Sequence, residues 1–139
     1  MTSPPRIVLD TNVIVSALLT PGAPRRVVEM CRRGDCSVFL SDSILAEVAG
    51  VLRRKLGWTG PQVLLALEEL RAFSNVVVPA TAVDIVKEDP SDNRVLECAL
   101  ECGAVCIVTG DTRHLQPLES FQGVPVVSPR RFLELMQRS

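Results

Sequence analysis

The chain has 139 residues, which suits a single domain over residues 1–139 that buries a real core, and is too short for two comfortable domains. Aromatic residues make up 4% of the chain and tyrosine is absent, which argues against an RNA-binding surface built from stacked rings. The 15 basic and 16 acidic residues give a net charge of -1, so the overall charge does not indicate a polyanionic partner.

The cysteines and the hydropathy pattern bear on localisation. The five cysteines are an odd number, residues 1–6 lack the apolar run of a signal peptide, and no segment is apolar enough to span a bilayer. We therefore expect a cytoplasmic protein with reduced thiols and no membrane association. Cys98 and Cys102 have the spacing of ligands on one helix face, but the chain has no CxxC pair and only one histidine, which favours a role in the core.

The first half of the chain alternates between strand and helix patterns. Residues 7–9 form an apolar β-favouring run that ends at Asp10, and four helix patterns follow it. Three of them stop at Gly or at a Pro-Gly turn, and the fourth ends near Ser74-Asn75. The predicted elements are a strand at 7–9, helices at 13–19 and 24–34, a strand at 37–40, helices at 42–56 and 60–74, and a strand at 76–78.

The second half continues the alternation after an unassigned stretch at 81–87, which we interpret as a short extended piece. The predicted elements are a largely buried helix at 90–101, a strand at 105–108, a turn at 109–111, a short helix at 114–118, a strand at 124–127 and a terminal helix that begins at Ser128-Pro129. Strands that alternate with helices predict the α/β class with a mostly parallel sheet.

Four carboxylates are predicted to meet at one edge of this sheet. Asp10 and Asp111 each follow a strand at its carboxyl end, while Glu47 and Asp92 lie in the first turns of helices that begin at the same edge. Open α/β sheets bind ligands in the crevice outside the carboxyl ends of their strands. The four side chains can therefore converge on one crevice.

Each acid also has a purely structural explanation. Asp10 fits the cap of the helix after its strand, Asp111 fits a turn, and Glu47 fits a solvated helix flank. Asp92 fits the third helical position behind a capping Asp89 and Pro90. The functional interpretation depends on the four occurring together.

The chemistry of such a cluster is specific. Carboxylates a few Å apart repel one another, so arginines or a divalent cation must neutralise them. Oxygen ligands without a His/Cys set select Mg²⁺ or Mn²⁺ over Zn²⁺. A hard cation held by acids is suited to phosphodiester hydrolysis, because it activates water and stabilises the leaving oxygen.

These motifs, in this order, resemble the PIN-domain family of ribonucleases. The resemblance is carried by LDTN at 9–12, ILAEV at 44–48, DPSDNRVLECA at 89–99, IVTGD at 107–111 and GVPVVSPRRFL at 123–133. It covers nearly the whole chain, and the ordered set is more specific than any single motif.

The resemblance implies a Rossmann-like α/β/α sandwich, Mg²⁺ or Mn²⁺ as cofactor, and cleavage of an RNA substrate. It implies metal-ligand roles for Asp10, Glu47, Asp92 and Asp111, and places Asn12 and Thr109 at positions that orient ligands or water. A small member such as this resembles the toxin of a toxin-antitoxin pair, which implies a homodimer and a small antitoxin partner.

One position departs from the family pattern. Many members have another acid two residues after the Asp111 position, and this chain has Arg113 there. We therefore expect a single tight metal site, with Arg113 available for phosphate. The lone histidine, His114, is interpreted as a turn or surface residue, because a metal-bound water needs no imidazole base.

Two other functions remain open at this stage. The first is a catalytically idle fold that binds RNA or protein, against which the intact set of four acids argues. The second is a haloacid-dehalogenase-type phosphohydrolase, which would need an acid where Asn12 stands and a lysine that 105–111 lacks.

The basic residues come in pairs and admit two interpretations. They either solvate helix flanks or guide RNA to the crevice, and in the second case Arg25, Arg26, Arg32 and Arg33 should lie around it.

Overall fold

The centre of the fold is a sheet of parallel strands. Residues 3–137 are the part of the chain that this computed structural model describes, and six strands within them form one sheet. The strands are β1 (Arg6–Leu9), β2 (Ser37–Ser41), β3 (Ser74–Val77), β4 (Cys106–Val108), β5 (Ser120–Phe121) and β6 (Val124–Val127). Their order is β3-β2-β1-β4-β6-β5, and every neighbouring pair is parallel except β5 and β6.

Helices flank this sheet and connect its strands. Among the described residues they are α1 (Thr11–Leu19), α2 (Ala23–Arg32), α3 (Asp42–Arg54), α4 (Gly60–Phe73), α5 (Pro90–Cys102) and α6 (Pro129–Gln137), with a 3₁₀ turn at Gln116–Leu118. None of the helices described within 3–137 has the length and hydropathy that crossing a bilayer requires.

The core lies where the central strands are covered by helices. Ile7, Val8 and Leu9 of β1 are at most 1% exposed, so β1 shows the continuous apolar pattern of a strand that is buried on both faces. Cys98 and Cys102 lie in the same core, and all five cysteines are buried free thiols. The predicted α/β class with a mostly parallel sheet is confirmed.

Two neighbouring strands bring their carboxyl ends together. β1 and β4 pair in parallel with Leu9 opposite Val108, and the backbone N–H of Asp10 donates to Val108 O at 2.9 Å. The residues that follow the two strands therefore start from adjacent points at the same sheet edge. This register places Asp10 and Asp111 within reach of one cavity.

Most predicted elements are found with ends shifted by one or two residues, and three elements differ further from the sequence predictions. β3 covers residues 74–77 instead of 76–78, because α4 ends at Phe73 and the Asn75 side chain donates to Val38 O at 3.3 Å on the neighbouring strand. The predicted helix at 114–118 is a turn followed by the short 3₁₀ segment. β5 was not predicted, because two residues are too few to show a pattern.

Residues 80–86, which we call the strap, run along α5 without regular secondary structure of their own. Side chains spaced four residues apart on α5 bind the strap backbone: Glu101 accepts from Ala80 N and Glu97 from Val83 N, both at 2.8 Å. Asn93 is 1% exposed and accepts from the N–H groups of residues 85–86 while donating to Val86 O at 2.8 Å. This attachment of the strap to α5 places the residues that follow it, Glu88 and Asp89, at the sheet edge.

Candidate active site and metal centre

Asp10 is a buried carboxylate held by three donors. It caps α1, and its Oδ1 accepts from Thr11 N at 2.7 Å. Its Oδ2 accepts from Thr109 Oγ1 at 2.7 Å and from Asn12 Nδ2 at 3.2 Å. The capping role and the position at the cavity therefore coexist in one side chain, which is 3% exposed.

Asn12 and Thr109 join the ends of β1 and β4. Gly110 N donates to Asn12 Oδ1 at 2.9 Å, and Asp111 N donates to Thr109 Oγ1 at 2.9 Å. A Cβ atom at position 110 would lie 3.3 Å from Asn12 Oδ1, so glycine permits this close approach. Both side chains orient the acids; Thr109 does so from behind Asp10, where it is fully buried.

Asp111 is fixed by the turn that follows it. Its Oδ1 accepts from Arg113 N at 2.9 Å and from His114 N at 3.2 Å, and its Oδ2 accepts from Leu115 N at 3.3 Å. The carboxylate therefore has a defined direction toward the cavity although it follows the last strand residue by three positions.

Asp92 lies in the first turn of α5, behind the capping Asp89, as the sequence predicts. The residue is 5% exposed, and no donor in the described part of the chain lies within hydrogen-bond distance of its Oδ2. A buried carboxylate oxygen without a donor is costly unless a proton or a cation compensates it.

Glu47 reaches the site from α3. Ser41 caps this helix by accepting from Ile44 N at 3.3 Å, so α3 begins at Asp42 and Glu47 lies in its second turn, not in the first turn as predicted. Glu47 is half-buried and lines the same cavity as the three aspartates.

One cavity of about 530 Å³ brings the predicted acids together. Five of the six predicted site residues line it, and Thr109 stands behind Asp10. The charged and amide side chains that line it are Asp10, Asn12, Glu47, Arg54, Lys55, Asp89, Asp92, Asp111, Arg113 and His114.

The charges in this cavity perturb one another. Burial raises the pKa of Asp10 from 3.8 to about 6; the hydrogen bonds from Thr109 and Thr11 oppose this rise, and repulsion from neighbouring acids adds to it. Burial raises the pKa of Asp92 to about 8, and the neighbouring carboxylates Asp111, Asp10 and Asp89 add to this rise. Carboxylates whose charged form is disfavoured in this way bind a cation in place of the proton.

The pKa of Asp111 shifts in the opposite direction from those of Asp10 and Asp92. Burial acts to raise the pKa of Asp111, but hydrogen bonds from the backbone N–H groups of residues 113–115 and the interaction with Asp92 outweigh it and hold that pKa below its ordinary value. Asp92 is therefore the carboxylate whose charged form is disfavoured, and Asp111 is the one whose charged form is favoured.

The structure places His114 in the cluster, which the sequence analysis missed. The residue is in a turn, as predicted, but its ring is not a surface group: the side chain is 21% exposed and Nδ1 lies 3.6 Å from Asp92 Oδ2 and 3.7 Å from Asp111 Oδ2. Its Nε2 lies 3.0 Å from Glu88 Oε2. The only signal in the sequence was the spacing of three residues from Asp111.

The basic side chains at the cavity include Arg113, which was expected to be available for phosphate, and none of the four arginines that were expected to guide RNA. Arg54, Lys55 and Arg113 line it. Arg25, Arg26 and Arg33 instead line a separate cavity of about 620 Å³ between α2 and α6, and Arg32 packs 4.9 Å from the Phe73 ring centroid. The four arginines at positions 25, 26, 32 and 33 would have to lie around the crevice to guide RNA into it, and they do not line that cavity.

The donor set fits a divalent cation. Asp10, Glu47, Asp92 and Asp111 offer carboxylate oxygens, and the donor-free Asp92 Oδ2 is directed into the same cluster. Oxygen-rich sets of this kind suit hard cations such as Mg²⁺ and Mn²⁺.

Comparisons with known proteins show the family to which the chain belongs. A family model described as PIN domain matches residues 6–113. The uncharacterized protein MJ1680 of Methanocaldococcus jannaschii is 31% identical over 112 residues, which cover 76% of this chain and 70% of that protein.

Solved structures share the fold at low sequence identity. PAE2754 from Pyrobaculum aerophilum superposes with a TM-score of 0.58 at 14% identity, over 97% of this chain and 91% of that chain. The PIN domain endonuclease Utp24 superposes with a TM-score of 0.53 at 16% identity, over 90% and 85%. With the family model matching most of its length, the chain belongs to the PIN domain family, whose fold is a nuclease fold.

Proposed function

We propose that this chain is a metal-dependent endoribonuclease. The observation that carries the proposal is the convergence of four acids on one cavity, with a buried oxygen of Asp92 that lacks a protein donor. Membership in a family with a nuclease fold supports it, and leaves the haloacid-dehalogenase-type alternative without support. An endonuclease activity is named for one structural neighbour, Utp24.

The residues divide into three tasks under this proposal. Asp10, Glu47, Asp92 and Asp111 hold the cation, which when bound activates water and stabilises the leaving oxygen. Thr109 and Asn12 keep the Asp10 carboxylate directed at the cavity through their hydrogen bonds.

The third task belongs to the basic side chains. Arg54, Lys55 and Arg113 line the cavity and supply positive charge where the phosphates of a single strand would pass. Mg²⁺ and Mn²⁺ both fit a carboxylate set, so we expect either to support cleavage.

The direct test incubates the purified chain with a mixed pool of single-stranded and structured RNA. We expect cleavage with Mg²⁺ or Mn²⁺ and none with EDTA. The variant D10N should lose at least about 100-fold in rate, because removing one ligand charge weakens the stabilisation of the transition state by several kcal/mol.

The control variant E68Q removes an exposed carboxylate on α4, far from the acids in sequence, and should keep full activity. Unchanged cleavage by D10N would remove Asp10 from the mechanism. RNA binding without any cleavage by the unaltered chain would instead favour the idle binding fold.

The biological part of the proposal is a toxin of a toxin-antitoxin pair, a homodimer inhibited by a small antitoxin protein. It rests on the sequence resemblance stated above. Induced expression in bacteria should arrest growth, and D10N should not. Normal growth at confirmed expression of active enzyme would contradict the toxin role while leaving the nuclease proposal intact.

A further inference from the structure

We propose that His114, Asp89 and Asp92 form a second cation position, with an imidazole nitrogen as ligand, that takes Zn²⁺ in preference to Mg²⁺. One ligand atom from each of the three residues lies within 4.8 Å of the others. This second position adjoins the four-acid set and shares Asp92 with it. The inference therefore extends the proposed function and rests on it through that shared residue.

The contacts of the His114 ring set its tautomer. Nε2 lies 3.0 Å from the Glu88 carboxylate, so it carries the hydrogen and donates to Glu88. In the neutral imidazole, the opposite nitrogen, Nδ1, then presents a lone pair to the cluster. Metal-binding histidines commonly donate their other ring N–H to a carboxylate, which orients the ring and raises its basicity as a ligand.

Nδ1 faces oxygens that are themselves acceptors. It lies 3.6 Å from Asp92 Oδ2 and 3.7 Å from Asp111 Oδ2, too far for a hydrogen bond. Ligand atoms on a common Zn²⁺ with bonds of roughly 2.1 Å are spaced by roughly 3.4 Å. The distances from Nδ1 to the two carboxylate oxygens therefore suit ligation of a shared cation better than a direct hydrogen bond.

Asp92 supplies the independent observation. Its side chain is 6% exposed, and its Oδ2 has no donor within hydrogen-bond distance in residues 3–137. A buried oxygen in this state, facing a second acceptor, needs a proton or a cation between the two, and a cation fits where three ligand atoms meet.

Asp89 completes the position without losing its structural role. Its Oδ1 caps α5 by accepting from Ser91 N at 3.3 Å and from Ser91 Oγ at 2.6 Å. The second oxygen of the carboxylate remains for a cation.

The sequence of the turn supports the choice of metal. The turn after β4 carries His114, whose ring is the one nitrogen ligand in this group of three residues. Imidazole suits Zn²⁺, whereas carboxylates alone suit Mg²⁺. Two carboxylates and one imidazole also leave a fourth tetrahedral position for water.

The first experiment observes the ring directly. His114 is the only histidine in the chain, so an untagged, ¹⁵N-labelled sample gives one set of imidazole signals by NMR. We expect one equivalent of Zn²⁺ to shift the Nδ1 signal strongly and Nε2 weakly, and Mg²⁺ at saturation to leave both nearly unchanged. Zn²⁺ is diamagnetic, so the shift reports ligation and not mere proximity.

Two results would overturn the proposal. The first is an Nδ1 signal that ignores Zn²⁺. The second is one that moves equally with Zn²⁺ and Mg²⁺, as an imidazolium ion-paired with Glu88, Asp92 and Asp111 would when a nearby charge is added.

The second experiment measures affinities by titration calorimetry on the same full-length chain. H114N and D89N should each weaken Zn²⁺ binding by at least about tenfold and change Mg²⁺ binding by less than about twofold. Asparagine is an equally good helix cap, so D89N should keep α5 intact. E68Q removes a remote carboxylate and should change neither affinity. Equal losses for both metals would contradict a separate nitrogen-containing position.

The outcomes separate this inference from the nuclease proposal. Zn²⁺ ligation by His114 without RNA cleavage would keep the site and reject the nuclease. Cleavage with Mg²⁺ and no response of the imidazole to Zn²⁺ would reject the site and keep the nuclease.

Discussion

The buried carboxylate of Asp10 is subject to opposing effects within one side chain. Three hydrogen bonds stabilise its charge, and burial together with the nearby acids Glu47 and Asp111 destabilises it. The second effect is larger, since the pKa rises from 3.8 to about 6. Ionised Asp10 therefore lowers the stability of the metal-free fold and favours binding of a cation.

The first prediction concerns the pH dependence of this cost. Well below pH 3.8 Asp10 is protonated in both the folded and the unfolded chain, so it costs nothing there. As the pH rises, the unfolded chain ionises first, and the cost grows until it is complete above about pH 6, at about 3 kcal/mol. Asparagine at position 10 cannot ionise. Between pH 3.8 and about pH 6, the unfolding free energy of D10N should therefore rise relative to that of the unaltered chain, by up to about 3 kcal/mol.

The measurement is urea unfolding of both chains in EDTA at intervals from pH 4 to pH 7. Loss of the hydrogen-bond geometry in D10N adds an offset that does not depend on pH, so the slope alone tests the account. E68Q controls for the change in net charge. A D10N difference that stays flat with pH would contradict the raised pKa of Asp10.

At the scale of elements, α5 organises the site through two faces. Its first turn presents Asp92 to the cavity, and Asn93, Glu97 and Glu101 bind the backbone of the strap. The strap does not pair with a strand of the sheet, so these side chains accept the hydrogen bonds of its backbone N–H groups. The position of Glu88 and Asp89 beside the cavity depends on this attachment.

The second prediction tests that dependence. N93A removes three hydrogen bonds to residues 85–86 and leaves buried backbone groups without partners, so the unfolding free energy should fall by about 2–4 kcal/mol. Zn²⁺ affinity should fall as well, because Asp89 loses its support. Urea unfolding and calorimetry measure the two effects.

Asn75 provides the matched control. It makes one hydrogen bond, to Val38 O, from an exposed position on the edge strand β3, so N75A should cost less than about 1 kcal/mol. Similar losses in N93A and N75A would show that the strap does not depend on Asn93.

The sequence predicted the elements with strong local patterns. The apolar run of β1, the periodic helices and their caps depend on residues that are neighbours in the chain. The acids that follow β1 and β4 lie close together because these two strands pair in parallel. The strap carries no such pattern, because its partners lie on α5, up to 21 residues away. His114 was misjudged for the same reason: its partner Glu88 is 26 residues distant.

At the scale of the whole molecule, the net charge of -1 conceals an uneven distribution. The acids converge on one cavity that is bordered by Arg54, Lys55 and Arg113, while other arginines line a cavity beside α2 and α6. Only the first group is placed to neutralise phosphates that approach the acids. The salt dependence of RNA binding therefore distinguishes the two groups.

The third prediction uses this distinction. For a single strand, each lost phosphate contact reduces the slope of log affinity against log salt by about 0.7, so R54A/K55A should reduce it by about 1.4. R26A/R33A removes two exposed arginines from the other cavity and should leave the slope unchanged. Fluorescence anisotropy with a labelled RNA in Ca²⁺, at several salt concentrations, measures both. A larger effect of R26A/R33A would place the RNA on the other face.

The central claim is that distant acids converge to hold a divalent cation. Anomalous X-ray scattering from a crystal soaked in Mn²⁺ tests it most directly. The account predicts a manganese peak within about 2.3 Å of carboxylate oxygens from Asp10, Asp92 and Asp111. A saturating soak that leaves this cavity without a peak, while D10N and the unaltered chain cleave RNA equally, would contradict it.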